Sequence, residues 1–120
     1  KTQSNELAKA WGQFEFLPEA DHNTLAGVEN PADLLLKIFT VFLKSNHFHP
    51  RNSIRMDLTF TEFMVAGLCT DQLDFSANDR LIEMGNAILF GDFVAYYLAM
   101  MYEVDPTPIE SIESLKMQMK

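Results

Sequence analysis

From Ala87 to Val104 only Gly91, Asp92 and Glu103 interrupt a run of apolar residues, and the run stops at Asp105-Pro106-Thr107-Pro108. Such length and apolar density suit a helix buried on most of its surface. Proline ends it, because it cannot supply the amide that a continuing helix needs. A second helix is expected at once, with Thr107 as N-cap, Pro108 at the first helical position and Glu110 completing a capping box. Ile109, Ile112, Leu115 and Met119 recur three to four residues apart as its apolar stripe, and Lys116 sits beside that stripe near the end of the helix. The same apolar run is the chain's one candidate membrane span. Gly91 and Asp92 inside it favour the core helix of a soluble protein.

The 120 residues fit one domain, and 48% apolar content is ample for a packed core. A net charge of −8 repels nucleic acid and anionic membranes, so neither is an expected partner. An anionic substrate would need a local site, such as a helix N-terminus, against that field. The single cysteine, Cys69, excludes an internal disulfide and suits a reducing, cytoplasmic compartment. The chain opens on Lys1 without a charged leader and cleavage site, which reads as part of a longer protein or a trimmed start.

In chain order, Ser4–Trp11 reads as a helix capped by Ser4 or Asn5, with Leu7, Ala8 and Trp11 as its apolar face. Glu19–Asn23 is a polar loop or short turn, and Asn30-Pro31 begins another turn. Leu34–Leu43 is nearly all apolar, and periodicity alone does not separate strand from buried helix there. Its β-branched and aromatic end, Ile38 to Phe42, favours a central parallel strand covered on both faces. Lys44–Asn52 is then the loop at that strand's carboxyl end, where open α/β sheets gather ligands. A helix capped by Asn52 or Ser53 runs to Leu68, Asp71–Phe75 is a weak strand, and Asn78 caps the long helix from near Asp79. The alternation implies an α/β fold: a small or incomplete doubly wound parallel sheet flanked by helices, with a long C-terminal helix and a short last helix.

The C-terminal order GDFVAYYLAMMYEVDPTPIESIESLK resembles the end of the bifunctional phosphoglucose/phosphomannose isomerases, members of the sugar isomerase (SIS) family. Three further segments resemble that family in the right order: KTQSNELAK at Lys1–Lys9, LPEADHNTLAG at Leu17–Gly27, and FLKSNHFHPR at Phe42–Arg51. Each alone is weak, and the four together are specific. The family joins two SIS domains in one chain and works as a dimer. The resemblance implies that residues 1–120 form the second, C-terminal SIS domain, with the N-terminal SIS domain and a second copy as partners. The sugar phosphate is then held largely by serine and threonine residues of the first domain.

An aldose–ketose isomerase must open the sugar ring, move one proton between C2 and C1, and stabilise the enediolate between them. A carboxylate suits the proton transfer when its pocket is dry. The resemblance gives that role to Glu6; read from the residues alone, Glu6 is a solvated carboxylate in a first helical turn. The family more often has Asn after that glutamate, where this chain has Leu7. The resemblance gives ring opening to His22, drawn from the neighbouring subunit, and to Lys116. Histidine suits the task because it titrates near working pH. Glu19 is a second carboxylate that orients His22 or caps its loop. Thr107 is a pocket candidate, although capping already explains it, and Arg51 is a candidate phosphate contact. His47 and His49 form an H-x-H pair, but no Cys or carboxylate follows at ligand spacing, so no metal is expected. No cofactor is implied. A non-catalytic SIS sensor of sugar phosphates, or a dimerisation module, is the alternative reading; a purely helical structural domain is a third.

Overall fold

The computed structural model describes residues 1–120. Its elements are helix α1 (Thr2–Leu7), two short 3-10 turns (Glu19–Asp21 and Thr24–Gly27), helix α2 (Ala32–Leu35), strand β1 (Phe39–Lys44), helix α3 (Pro50–Val65), strand β2 (Cys69–Asp74), helix α4 (Arg80–Met101) and helix α5 (Glu110–Gln118). The chain divides into two compact units. One comprises Glu15–Ala87, the other Lys1–Phe14 with Ile88–Lys120, and α4 runs from the first into the second.

The Glu15–Ala87 unit holds the sheet. β1 and β2 pair in parallel, with Phe39 opposite Cys69 and Lys44 opposite Asp74. The parallel pairing needs a crossover, and α3 supplies it. This is the expected α/β architecture at its smallest, two strands with helices. The apolar run Leu34–Leu43 begins in the end of α2, passes through a turn at residues 36–38 and supplies all of β1 but Lys44. β1 is not covered on both faces as expected: Phe39, Val41 and Leu43 are exposed, while Phe42 turns toward α3. Phe42 meets Phe60 and Phe63 edge-on, with ring centroids 5.7 and 5.5 Å apart, a favoured aromatic geometry. Met56, Thr59 and Phe63 recur at helical spacing as the buried side of α3.

α3 starts earlier than the expected cap at Asn52 or Ser53. Pro50 takes the first turn, where its missing amide is harmless, and His49 caps with Nδ1 accepting from the amide of Arg51 at 3.2 Å. Gly67, at φ 88, turns the chain out of this helix in the left-handed region that glycine enters freely. At α4 the cap is not Asn78: the Asp79 carboxylate accepts the amide of Leu81 at 2.7 Å.

α4 is the expected long helix, but the expectation of burial fails. Only Glu83, Ala95 and Ala99 are buried along it, while Leu81, Tyr97 and Met101 are 76%, 62% and 79% exposed. By length and composition alone α4 could cross a membrane. Two further corrections concern the termini of helices. α1 begins at Thr2 and stops at Leu7, so Trp11 lies outside it and is exposed. α5 begins at Glu110 rather than Pro108, its N-cap is Ile109, and Thr107 makes no capping hydrogen bond. The Asp105 carboxylate instead accepts the amide of Thr107 at 2.8 Å, so the aspartate organises the turn.

Candidate active site

In the unit formed by Lys1–Phe14 and Ile88–Lys120, the short helix α1 is closed by a tight reversal. Ser4 O accepts from the amides of Ala8 and Ala10 at 3.2 and 3.1 Å. Asn5 Oδ1 accepts from the amide of Gly12 at 2.8 Å, and a Cβ on Gly12 would lie 3.1 Å from that oxygen, so a small residue is favoured there. The reversal passes through Lys9 at φ 54. Helices usually place glycine at such a step, and a side chain there costs about 1 kcal/mol. The Lys9 amine donates to Glu6 O at 2.6 Å and to Pro106 O at 3.3 Å.

These turns frame a hollow of about 810 Å3, bordered by Asn5, Glu6, Lys9, Asp105, Glu110 and Ser111 among others. Glu6 is half-buried there. Its carboxylate is not engaged by any donor of the chain and so is available to a ligand. Asp105 is committed elsewhere. Hydrogen bonds from the Thr107 backbone and side chain hold its carboxyl below the usual range, burial opposes them, and the Lys9 charge assists. Lys116 does not border the hollow. It lies one turn along α5 from Ile112, which does, and is exposed. Thr107 is likewise absent from the border. Sequence reasoning did not assign Lys9, Asp105 or Glu110 to the site. The signal was available in the charged residues that flank α1 and the Asp-Pro-Thr-Pro turn.

His22, Glu19 and Arg51 belong to the Glu15–Ala87 unit. His22 closes the first 3-10 turn, its amide bonded to Glu19 O at 2.9 Å, with its ring exposed. The turn is fixed by its neighbour Asp21, which accepts from Thr59 Oγ1 at 2.7 Å and from Arg55 at 3.2 Å. Glu19 caps the loop, accepting from Asn23 Nδ2 at 3.3 Å. Arg51 sits exposed in the first turn of α3. A hollow of about 580 Å3 in this unit is bordered by Leu25, Val28, Leu35 and Val65 and includes none of the candidate residues.

The two histidines of the H-x-H pair part company. His49 caps α3, while His47 Nδ1 lies 2.8 Å from Glu83 Oε1. Glu83 is 4% exposed and also accepts from Ser45 Oγ and from the Ala77 amide at 3.0 Å. Burial alone would raise its pKa. The hydrogen bonds of Ser45, Ala77 and His47 outweigh that and bring it down to about 2. Sequence reasoning missed this buried carboxylate; an acidic residue in the first turn of an otherwise apolar helix was its signal.

Residues 1–119 match the family described as the bacterial phospho-glucose isomerase C-terminal SIS domain. A relative from Caldicellulosiruptor bescii, named a bifunctional phosphoglucose/phosphomannose isomerase, is 36% identical over 97% of this chain and 34% of its own length. A relative of the same name from Aquifex aeolicus is 31% identical over 100% of this chain and 37% of its own. One from Thermoplasma volcanium is 28% identical over 97% of this chain. The chain thus spans about a third of the length of these relatives. No solved structure matches it. Matched from its first residue to its last but one, the chain belongs to the bacterial phosphoglucose isomerase C-terminal SIS domain family.

Proposed function

We propose that this chain is the C-terminal domain of a phosphosugar aldose–ketose isomerase that interconverts glucose 6-phosphate, or mannose 6-phosphate, with fructose 6-phosphate. The observation that carries the reading is Glu6, a half-buried carboxylate bordering a hollow and free of hydrogen bonds from the chain. The names of the relatives that align along the whole chain support the same reaction class. Glu6 removes the proton from C2 of the open-chain aldose. The electron pair left at C2 forms the C1–C2 double bond of a cis-enediol as the carbonyl oxygen gains a proton. Glu6 then returns the proton to C1 while the C2 hydroxyl gives up its proton to solvent as the C2 carbonyl forms, which yields the ketose, so one base serves both carbons. His22 and Lys116 open the ring beforehand by moving a proton between the ring oxygen and the anomeric hydroxyl. His22 is supplied by the neighbouring subunit of a homodimer.

The sugar phosphate is bound mainly by the N-terminal SIS domain of the same protein, with Arg51, Glu19 and Thr107 as lesser contacts. The large apolar side chains that α4 leaves exposed suit a chain whose relatives are about three times as long. The reaction requires no metal or cofactor and takes place in a reducing, cytoplasmic compartment, in keeping with a single cysteine. The test is turnover of glucose 6-phosphate and mannose 6-phosphate by the longest native chain containing this segment. Turnover that falls on Glu6→Gln and on His22→Ala, with the fold retained, is expected. Sugar phosphate binding without turnover would replace this reading with that of a sensor.

A further inference from the structure

The left-handed backbone at Lys9 is unusual for a lysine, and the side chain is what occupies the position usefully. Its amine reaches back to the carbonyl of Glu6 and across to that of Pro106. The first contact holds the very residue that borders the hollow. The second reaches the turn whose Asp105 and Pro108 also border it. A glycine would make the same reversal without strain, so the reversal alone does not call for lysine. Asp105 gains from the same charge, which draws its carboxyl further into the ionised form. α1 has only six residues, and the Lys9 amine adds to the Ser4 and Asn5 hydrogen bonds that close its end.

We infer that Lys9 is a positioning residue of the isomerase site: a strap that fixes Glu6 against the Asp105–Pro108 turn and so sets where the base meets the sugar. The inference rests on the function proposed above and adds to it a residue that acts through Glu6. Bases must be held close to their productive geometry, and small displacements are costly to the rate.

The experiment compares Lys9→Gly, Lys9→Met and Lys9→Arg in the longest native chain. Lys9→Gly relieves the backbone and keeps or raises Tm, yet kcat falls by about 10²-fold with KM little changed. Lys9→Met shows a similar loss of kcat. Lys9→Arg, whose guanidinium still donates to two carbonyls, recovers most of the turnover. Parental kcat in both Lys9→Gly and Lys9→Met overturns the inference, and so does a loss that follows Tm alone. A parental chain without turnover defeats the proposed function instead. The strap is then read by amide hydrogen exchange, which should quicken at Asp105 and Thr107 in Lys9→Gly. Unchanged exchange there overturns the strap as well.

Discussion

His47 Nδ1 lies 2.8 Å from Glu83 Oε1, and through that contact the loop after β1 is tied to the first turn of α4. The carboxylate also takes the Ser45 hydroxyl and the Ala77 amide, so one buried side chain gathers two loops. The ordinary value for this group is 4.5, and in the fold it is lowered to about 2. A carboxyl with a lowered folded-state pKa adds stability above its unfolded value, and that stability is lost as pH falls toward the folded value. Urea midpoints should therefore drop between pH 4.5 and about pH 2, and Glu83→Gln should flatten that drop. At neutral pH the same substitution should lower Tm by several degrees, because three donors lose their charged acceptor. An unchanged acid limb in the variant would show that Glu83 does not carry it.

The aromatic contact between β1 and α3 sets a second expectation. Phe63 is 6% exposed and faces Phe42 edge-on. Phe63→Ala should cost about 3–5 kcal/mol, and Phe63→Leu clearly less, by urea denaturation at constant m. Equal effects of the two would mean that the site is not packed around an aromatic ring.

On α4, Tyr97 and Met101 lie four residues apart and are 62% and 79% exposed. Lysine at both positions should leave the secondary structure of residues 1–120 intact, since neither side chain is buried here. In the longest native chain it should weaken association, read as a shift to smaller species by sedimentation or as faster exchange along α4. Association at parental strength would mean that this face is not an interface.

The elements that local chemistry decides were legible in the sequence. The long helix and the strand at the end of Leu34–Leu43 follow from apolar runs, but the helix does not reach the prolines: it ends at Met101, and Glu103 at φ 55 has already left it before Pro106. What depends on partners distant in sequence was not legible. Apolar density in α4 announces a surface that needs covering without saying whether these residues cover it. Thr107 satisfies every local rule for a cap, yet Asp105 claims its amide and the helix starts three residues later. His47 next to His49 suggests a pair, but its partner is Glu83, far along the chain. Glu6, which borders the hollow, and Lys116, which does not, were both singled out through family-like segments. Lys9 was not, because its part depends on the carbonyl of Pro106, ninety-seven positions away.

The central claim is that Glu6 is the base. Glu6→Gln keeps the shape and leaves the fold unchanged, while a positioned base contributes on the order of 10²–10⁴-fold to the rate. The direct measurement is exchange of solvent deuterium into C2 of glucose 6-phosphate in D2O, with the longest native chain and its Glu6→Gln variant. Exchange by the parent that disappears in the variant is the predicted result. Exchange that persists in the folded variant would contradict the assignment, and its absence from a parent that still binds the sugar phosphate would contradict the isomerase itself.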